Sequence, residues 1–267
     1  FVVDGRAQFW NPEGAQGSRL ESFVHLVTVS QQEHQCLVSA VHQAHLAVEE
    51  TVFEAYAAAY AALTSEERAE GVAVLDIGAQ STELAVYWGD ALLAAASLPV
   101  SGRHFTADVS HGLCIGFEDA ERLKLEWGCA MLGLTGDSNL IEVPSPEGRQ
   151  PRDIPRLELN RILEARAGDL FLRAKREIAK AGLDQAPLGG VVLAGGGALL
   201  NGMCDIAERV LNCLARNGLA VGIVDWPEEL DNPAWTTAAG LLLYAARLKQ
   251  AESGEGRPAG LWNRLFG

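Results

Sequence analysis

An acid and a glycine end an apolar run at Asp76-Ile-Gly78, and two hydroxyl residues, Ser81 and Thr82, follow before the apolar pattern resumes at Leu84. A carboxylate, a residue that allows close backbone approach and two hydroxyls are the equipment expected around a phosphate and its metal ion. The same residues would also serve as the polar turn of a plain β-hairpin. Two further places carry comparable signals. Glu121-x-x-Lys124 sets opposite charges three residues apart in a helical pattern. Gly195-Gly196-Gly197 stands at a strand-to-helix turn, where the backbone can lie flat against a ligand and aim helix N-terminal amides at it. His42-x-x-His45 could set two imidazoles on one helix face, but no Cys, Asp or further His stands at ligand spacing, which argues against a metal site there.

These groups need elements to position them. Val72 to Leu75 is a β-prone run without polar alternation, the pattern of a strand buried on both faces, and Leu84 to Tyr87 reads as its antiparallel return. Ala91 to Pro99 gives a third strand, and Ser101-Gly102-Arg103 turns into a helix over 104–113. A further helix opens at Phe117 with acids in its first turn, where the dipole favours them. The Pro-rich stretch 142–151 is a hairpin or loop, and Pro155 to Ala181 is a long amphipathic helix with a break expected near Gly168. After the strand at 191–194 and its glycines come a helix over 203–215, a strand at Val221 to Asp225, and a small-residue helix from Pro233 able to pack closely on a neighbour. Upstream, Arg19 to Ser30 alternates as a strand, 31–46 is a helix, and Val48 to Ala55 a returning strand, together one small α/β subdomain. Tyr56 to Leu63 is alanine-rich and helical.

Composition removes several function classes. The 267 residues carry a formal net charge of −14, which leaves no basic stripe to neutralise nucleic acid and disfavours adsorption of the whole body to anionic lipid. Hydrophobic content of 48% with 21% charged residues is ordinary for a globular protein. Five scattered cysteines without a C-x-x-C fit buried thiols in a reducing cytoplasm better than a disulfide framework or a zinc site. No apolar run approaches the ~20 residues of a transmembrane helix. The chain opens on Phe1-Val-Val-Asp inside a ribbon-like stretch, so a piece lacking its N-terminal portion is expected.

An Asp-x-Gly hairpin, then Glu121-x-x-Lys124, then a triple-glycine turn, in that order, resembles the second half of the actin-like ATPase fold. Within that superfamily the chain is closer still to the bacterial cell-division FtsA family. The segments that carry the resemblance include Val3-Asp-Gly, Asn11-Pro-Glu-Gly, Ala62-Leu-Thr-Ser-Glu-Glu-Arg, Val72-Ala-Val-Leu-Asp-Ile-Gly, Asp119-Ala-Glu-Arg-Leu-Lys, Glu142-Val-Pro and Val192-Leu-Ala-Gly-Gly-Gly-Ala, in family order.

The resemblance implies an α/β, actin-like (ribonuclease H-like) ATPase fold, partial, with a small inserted α/β subdomain. Residues 1–48 would belong to that subdomain and 49–235 to the second lobe, whose distal part, about 115–185, would bind FtsZ. Residues 236–250 would form a helix returning to the first lobe, 251–260 a flexible linker and 261–267 an amphipathic membrane-targeting tail. ATP and Mg²⁺ are the implied cofactors. Asp76 would organise the Mg²⁺ hydration shell, Gly78, Ser81 and Thr82 would contact phosphates, and Gly102 would lie near phosphate and ribose. Glu121 and Lys124 would hold ribose and base, and Gly195 with Gly196 would back the adenosine. Arg152, Arg166 and Asp169 match positions that meet the C-terminal peptide of FtsZ; two arginines suit an acidic peptide. The family pattern Asp-Ile-Gly-Gly-Gly-Thr-Thr-Asp is altered here to Ala79, Gln80, Ser81 and Glu83, which narrows the γ-phosphate space and predicts a turn suited to sensing a nucleotide.

No Gln, Glu or His stands on the inner part of the helix after Ala55, so slow or negligible hydrolysis is expected. Leu261, Trp262, Leu265 and Phe266 fall on one apolar face with an interfacial Trp. Partial insertion of the four gives ~4–6 kcal/mol before ordering costs, too weak for one monomer but sufficient for many tails on one filament. The resulting expectation is an adaptor that polymerises on the cytoplasmic side of the inner membrane at the division site and tethers FtsZ filaments. The alternatives are a PilM-like type IV pilus assembly protein, which would not need the tail, and a sugar-kinase-like enzyme, for which no separate substrate-binding acid stands out.

Overall fold

The computed structural model describes residues 1–5, 12, 14–22, 24, 26–88, 91–136, 139–145, 150–182 and 189–252. Its centre is a five-stranded mixed sheet. Strand β1 (Val2–Val3) pairs with β2 (Leu20–Glu21) apart from that sheet, and α1 (Gln31–Gln43), α2 (Glu54–Ala62) and α3 (Ser65–Glu70) precede it in the chain. The sheet opens with β3 (Val72–Ile77), β4 (Thr82–Trp88) and β5 (Ala91–Leu98), an antiparallel meander. Helices α4 (Gly102–Leu113) and α5 (Phe117–Trp127), the hairpin β6 (Leu140–Val143) and β7 (Arg152–Pro155), and the long α6 (Arg156–Lys180) follow. The chain then returns through β8 (Val191–Ala194), α7 (Met203–Leu211), β9 (Ala215–Asn217) and α8 (Thr236–Glu252). Strand order is β5-β4-β3-β8-β9, with β8 parallel to both β3 and β9.

β3 is buried along its whole length, as its unbroken apolar run predicts. Ala73, Leu75 and Ile77 face a large core shared with α4, α6 and α7, while Val72 and Val74 face a second core built on the alanines of α2. Asp76 stands on that second face, directly opposite Glu83 of β4. The small-residue helix α8 packs on α2 so closely that a Cβ at Gly240 would lie 1.8 Å from the Ala57 carbonyl oxygen; only glycine permits this crossing.

Several local expectations are corrected. The alternating stretch 19–30 pairs only at Leu20–Glu21, because residues 26–30 find no neighbouring strand among the described residues, and alternation alone does not satisfy backbone N–H and C=O groups. Val48 to Ala55 is not a strand: its end is taken by α2, which begins at Glu54. Helix α1 has no buried residue, and Leu37 on it is exposed, as is Leu46 just beyond it. Val221 to Asp225 is broken by positive φ at Gly222 and Asp225 and keeps a single tie, Val221 N–H to the Ala61 carbonyl. Conversely, α6 runs unbroken through Gly168, held by the buried Leu163, Ala167, Leu170 and Phe171. The helix expected over 203–215 stops at Leu211, and 215–217 becomes the edge strand β9.

Candidate nucleotide site

Five of the nine nucleotide-contact residues expected from sequence meet in one cavity of about 730 Å³: Gly78, Gly102, Glu121, Lys124 and Gly196. Local hydrogen bonds bring them together. Gly78 N–H donates to the Ser81 carbonyl and tightens the hairpin turn, while the Gly78 and Ala79 carbonyls accept from Gly102 N–H (2.9 Å) and Arg103 N–H (3.1 Å) at the start of α4. The turn and the helix are thereby locked into one wall. α5 forms the next wall through Phe117, Glu121, Lys124 and Leu125, and the 3₁₀ turn Gly196–Leu199 with Leu200 and Asn201 closes the third. That third wall is tied to the end of α5, since Ala130 N–H donates to the Asn201 carbonyl at 2.7 Å.

Glu121 and Lys124 are bonded to one another at 2.7 Å, and Lys124 Nζ also donates to Thr106 Oγ1 at 3.0 Å. The Thr106 hydroxyl donates in turn to Glu121 Oε2. Burial works to raise the Glu121 carboxyl, but the hydrogen bonds from Lys124 and Thr106 and the lysine charge outweigh it, and its pKa lies below the ordinary range. The wall is therefore electrically complete in itself.

The other expected residues stand behind the wall. Asp76 is buried, and its carboxylate accepts from Thr237 of α8. Desolvation raises its pKa, and the Thr237 bond only partly counters this. Gly195 has φ +79°, and a Cβ there would stand 2.4 Å from Asp76 Oδ1 and 2.6 Å from the Ile77 carbonyl, so this turn can be made only by glycine. Gly196, by contrast, faces open space. Thr82 points into the core and donates to the Val100 carbonyl at 2.7 Å, so its proton is already committed, and Ser81 contributes its carbonyl to the turn. Ala79 lines the cavity; Gln80 is exposed and does not.

Arg152, Arg166 and Asp169 lie away from the cavity, against α4. Arg152 donates to the Leu113 carbonyl, and Arg166 forms a two-pronged pair with Asp108 at 2.6 and 2.9 Å. Asp169 accepts from Arg166 and from Arg173. Leu261, Trp262, Leu265 and Phe266 lie outside the described residues, as does the linker 253–260. Among the described residues no helix is long and apolar enough to cross a membrane, and no cluster of His, Cys, Asp and Glu could hold a metal ion by itself.

Sequence reading passes over several cavity residues, Arg103, Phe117 and Asn201 among them, although Arg103 directly follows the glycine it singles out. It also passes over Glu54. This residue opens α2, and its carboxyl is raised by desolvation first and then by the charges of Asp76 and Glu83. An acid does therefore reach the inner end of the helix where none was expected.

The family model of the cell division protein FtsA matches residues 73–240, more than half of the chain and every wall of the cavity. The chain belongs to the FtsA family. FtsA of Pseudomonas aeruginosa is 31% identical over 252 residues, covering 94% of this chain and 60% of the relative, so the chain spans about 60% of the length of that FtsA. Among solved structures, MreB5 of Spiroplasma citri bound to ADP superposes with a TM-score of 0.63 at 18% identity, covering 84% of this chain and 68% of MreB5. A PilM–PilN type IV pilus biogenesis complex gives 0.61 at 22% identity, covering 80% of this chain and 58% of its own. At these identities the two structures establish the actin-like fold alone. It is the FtsA match, not the pilus one, that reaches the level of family membership.

Proposed function

We propose that this chain is the nucleotide-holding part of an FtsA-type division protein, which binds an adenine nucleotide with Mg²⁺, polymerises on the inner membrane and tethers FtsZ. The observation that carries the reading is the convergence of the Gly78 turn, the start of α4, the Glu121–Lys124 pair and the Gly196–Gly197 turn on one cavity of nucleotide size. Its volume falls within the roughly 300–1,000 Å³ usual for small-ligand sites. Its Gly196 floor leaves space that a side chain would fill, and Phe105 and Leu200 offer apolar surface to a base. The fit to Mg²⁺ rests on Asp76 and Glu83, buried side by side with Glu54 near them and no basic partner bonded to any of the three among the described residues. Mg²⁺ bound with the phosphates would neutralise charge there. Titration of the chain with ADP and ATP tests the reading, and the absence of saturable binding to both would sink it.

The partner surface on α4 and α6 is proposed to take the acidic C-terminal peptide of FtsZ. Because Asp108 already occupies the Arg166 guanidinium, an incoming carboxylate must displace it. Asp108→Asn is therefore expected to tighten peptide binding several-fold, and Arg166→Ala to weaken it by about tenfold. Equal affinities in a fluorescence-anisotropy titration would remove this surface from the proposal. Membrane attachment through Leu261, Trp262, Leu265 and Phe266 is checked by liposome co-sedimentation with and without residues 261–267. Equal pelleting would exclude the tether.

A further inference from the structure

Three ionisable side chains line the cavity, Arg103, Glu121 and Lys124, and two of them neutralise each other. Arg103 makes no ion pair among the described residues. The lining thus carries one uncompensated positive charge, in a protein whose formal net charge is −14. Nor do the first backbone amides of α4 supply the attraction for an anion, because Gly102 and Arg103 N–H are spent on the Gly78 and Ala79 carbonyls, and His104 N–H on the Ser101 carbonyl. The guanidinium is left to do it. Its position is set by an aromatic neighbour: Arg103 Cζ lies 5.7 Å from the centroid of the Phe117 ring, which also lines the cavity.

We propose that Arg103, held over Phe117, is the residue that recognises the phosphate part of the nucleotide and sets the preference for a nucleoside phosphate over a nucleoside. The inference rests on the nucleotide reading above and goes beyond it by assigning the charge selectivity of the site to one side chain. A planar guanidinium offers paired donors to phosphate oxygens that an ammonium cannot match. Pinning it against Phe117 before the ligand arrives reduces what binding must order.

Calorimetric titration of the intact chain with ADP and with adenosine, with thermal melts as a folding control, tests the assignment. Arg103→Gln is expected to weaken ADP by roughly tenfold or more and leave adenosine within about twofold. Arg103→Lys is expected to recover part of the loss. Phe117→Leu is expected to weaken ADP by about threefold, since it frees the arginine without removing it. The salt dependence of ADP binding is expected to flatten in Arg103→Gln. Unchanged ADP affinity in Arg103→Gln, or an equal loss for ADP and adenosine, overturns the assignment while leaving the nucleotide reading intact. Failure of the unaltered chain to bind either ligand overturns both.

Discussion

Two acidic places flank the cavity and differ in what balances them. On α5, Glu121 is met by Lys124 at 2.7 Å and by the Thr106 hydroxyl, and its pKa is lowered. At the end of β3, Asp76 is met among the described residues only by the neutral Thr237, stands opposite Glu83, and has its pKa raised. Glu83 is itself half-satisfied: Oε1 accepts from Ser97 at 2.9 Å, and the buried Oε2 has no partner. The first place is finished scaffolding. The second holds a buried acid with only a neutral donor, so its ionised form is disfavoured. One end is complementary within itself, and the other leaves an acid without a basic partner among the described residues.

The largest expected effect is at the turn that touches the second place. Gly195→Ala forces a side chain into positive φ and against Asp76 and Ile77, and is expected to cost about 3 kcal/mol in urea unfolding. A loss below about 1 kcal/mol would mean that the turn relaxes and that its contact with Asp76 is not fixed. Next, Lys124→Ala removes the ammonium that donates to both Glu121 and Thr106. Because Glu121 is partly exposed, water recovers some of this, and a loss of about 2 kcal/mol is expected.

Asp76→Asn is expected to do the opposite at neutral pH, stabilising the ligand-free chain by up to about 1 kcal/mol as a desolvated carboxylate is replaced by a neutral amide. The pH dependence separates the two places. A raised carboxyl favours the fold only when protonated, so the advantage of Asp76→Asn over the unaltered chain shrinks as pH falls through Asp76's raised value toward 3.8. A lowered carboxyl favours the fold only when ionised. The disadvantage of Glu121→Gln therefore shrinks as pH falls from 4.5 through Glu121's lowered value. Denaturation midpoints between pH 3 and 7 check both signs, and two gaps of the same sign would collapse the comparison. The smallest effect is Thr237→Val, about 0.5 kcal/mol, together with a further rise in the Asp76 pKa that NMR titration of the carboxyl carbon would report.

What could be read from sequence was what a few adjacent residues decide. The β3 strand, its hairpin, the Glu121–Lys124 pair and the triple-glycine turn are local patterns, and each falls where its spacing puts it. The division of the glycines was hidden, because only the fold shows Gly195 turned in against Asp76 and Gly196 open to the cavity. The same holds for Arg166, engaged by Asp108 58 residues away, and for Thr82, spent on Val100. The stretches misread as strands at 26–30, 48–55 and 221–225 have the composition of strands but pair with no strand among the described residues, and pairing is not written in composition.

The bond between Thr237 and Asp76 joins residues 161 positions apart, whereas the β3–β4 hairpin closes through the short turn at 78–81. In the order of assembly these are far apart. The hairpin is a microsecond event, but the parallel pairing with β8 and the docking of α8 must wait for long chain closures. The signal that reads most plainly in the sequence thus closes through a local turn, and the burial that raises its acid's pKa depends on distant parts of the chain.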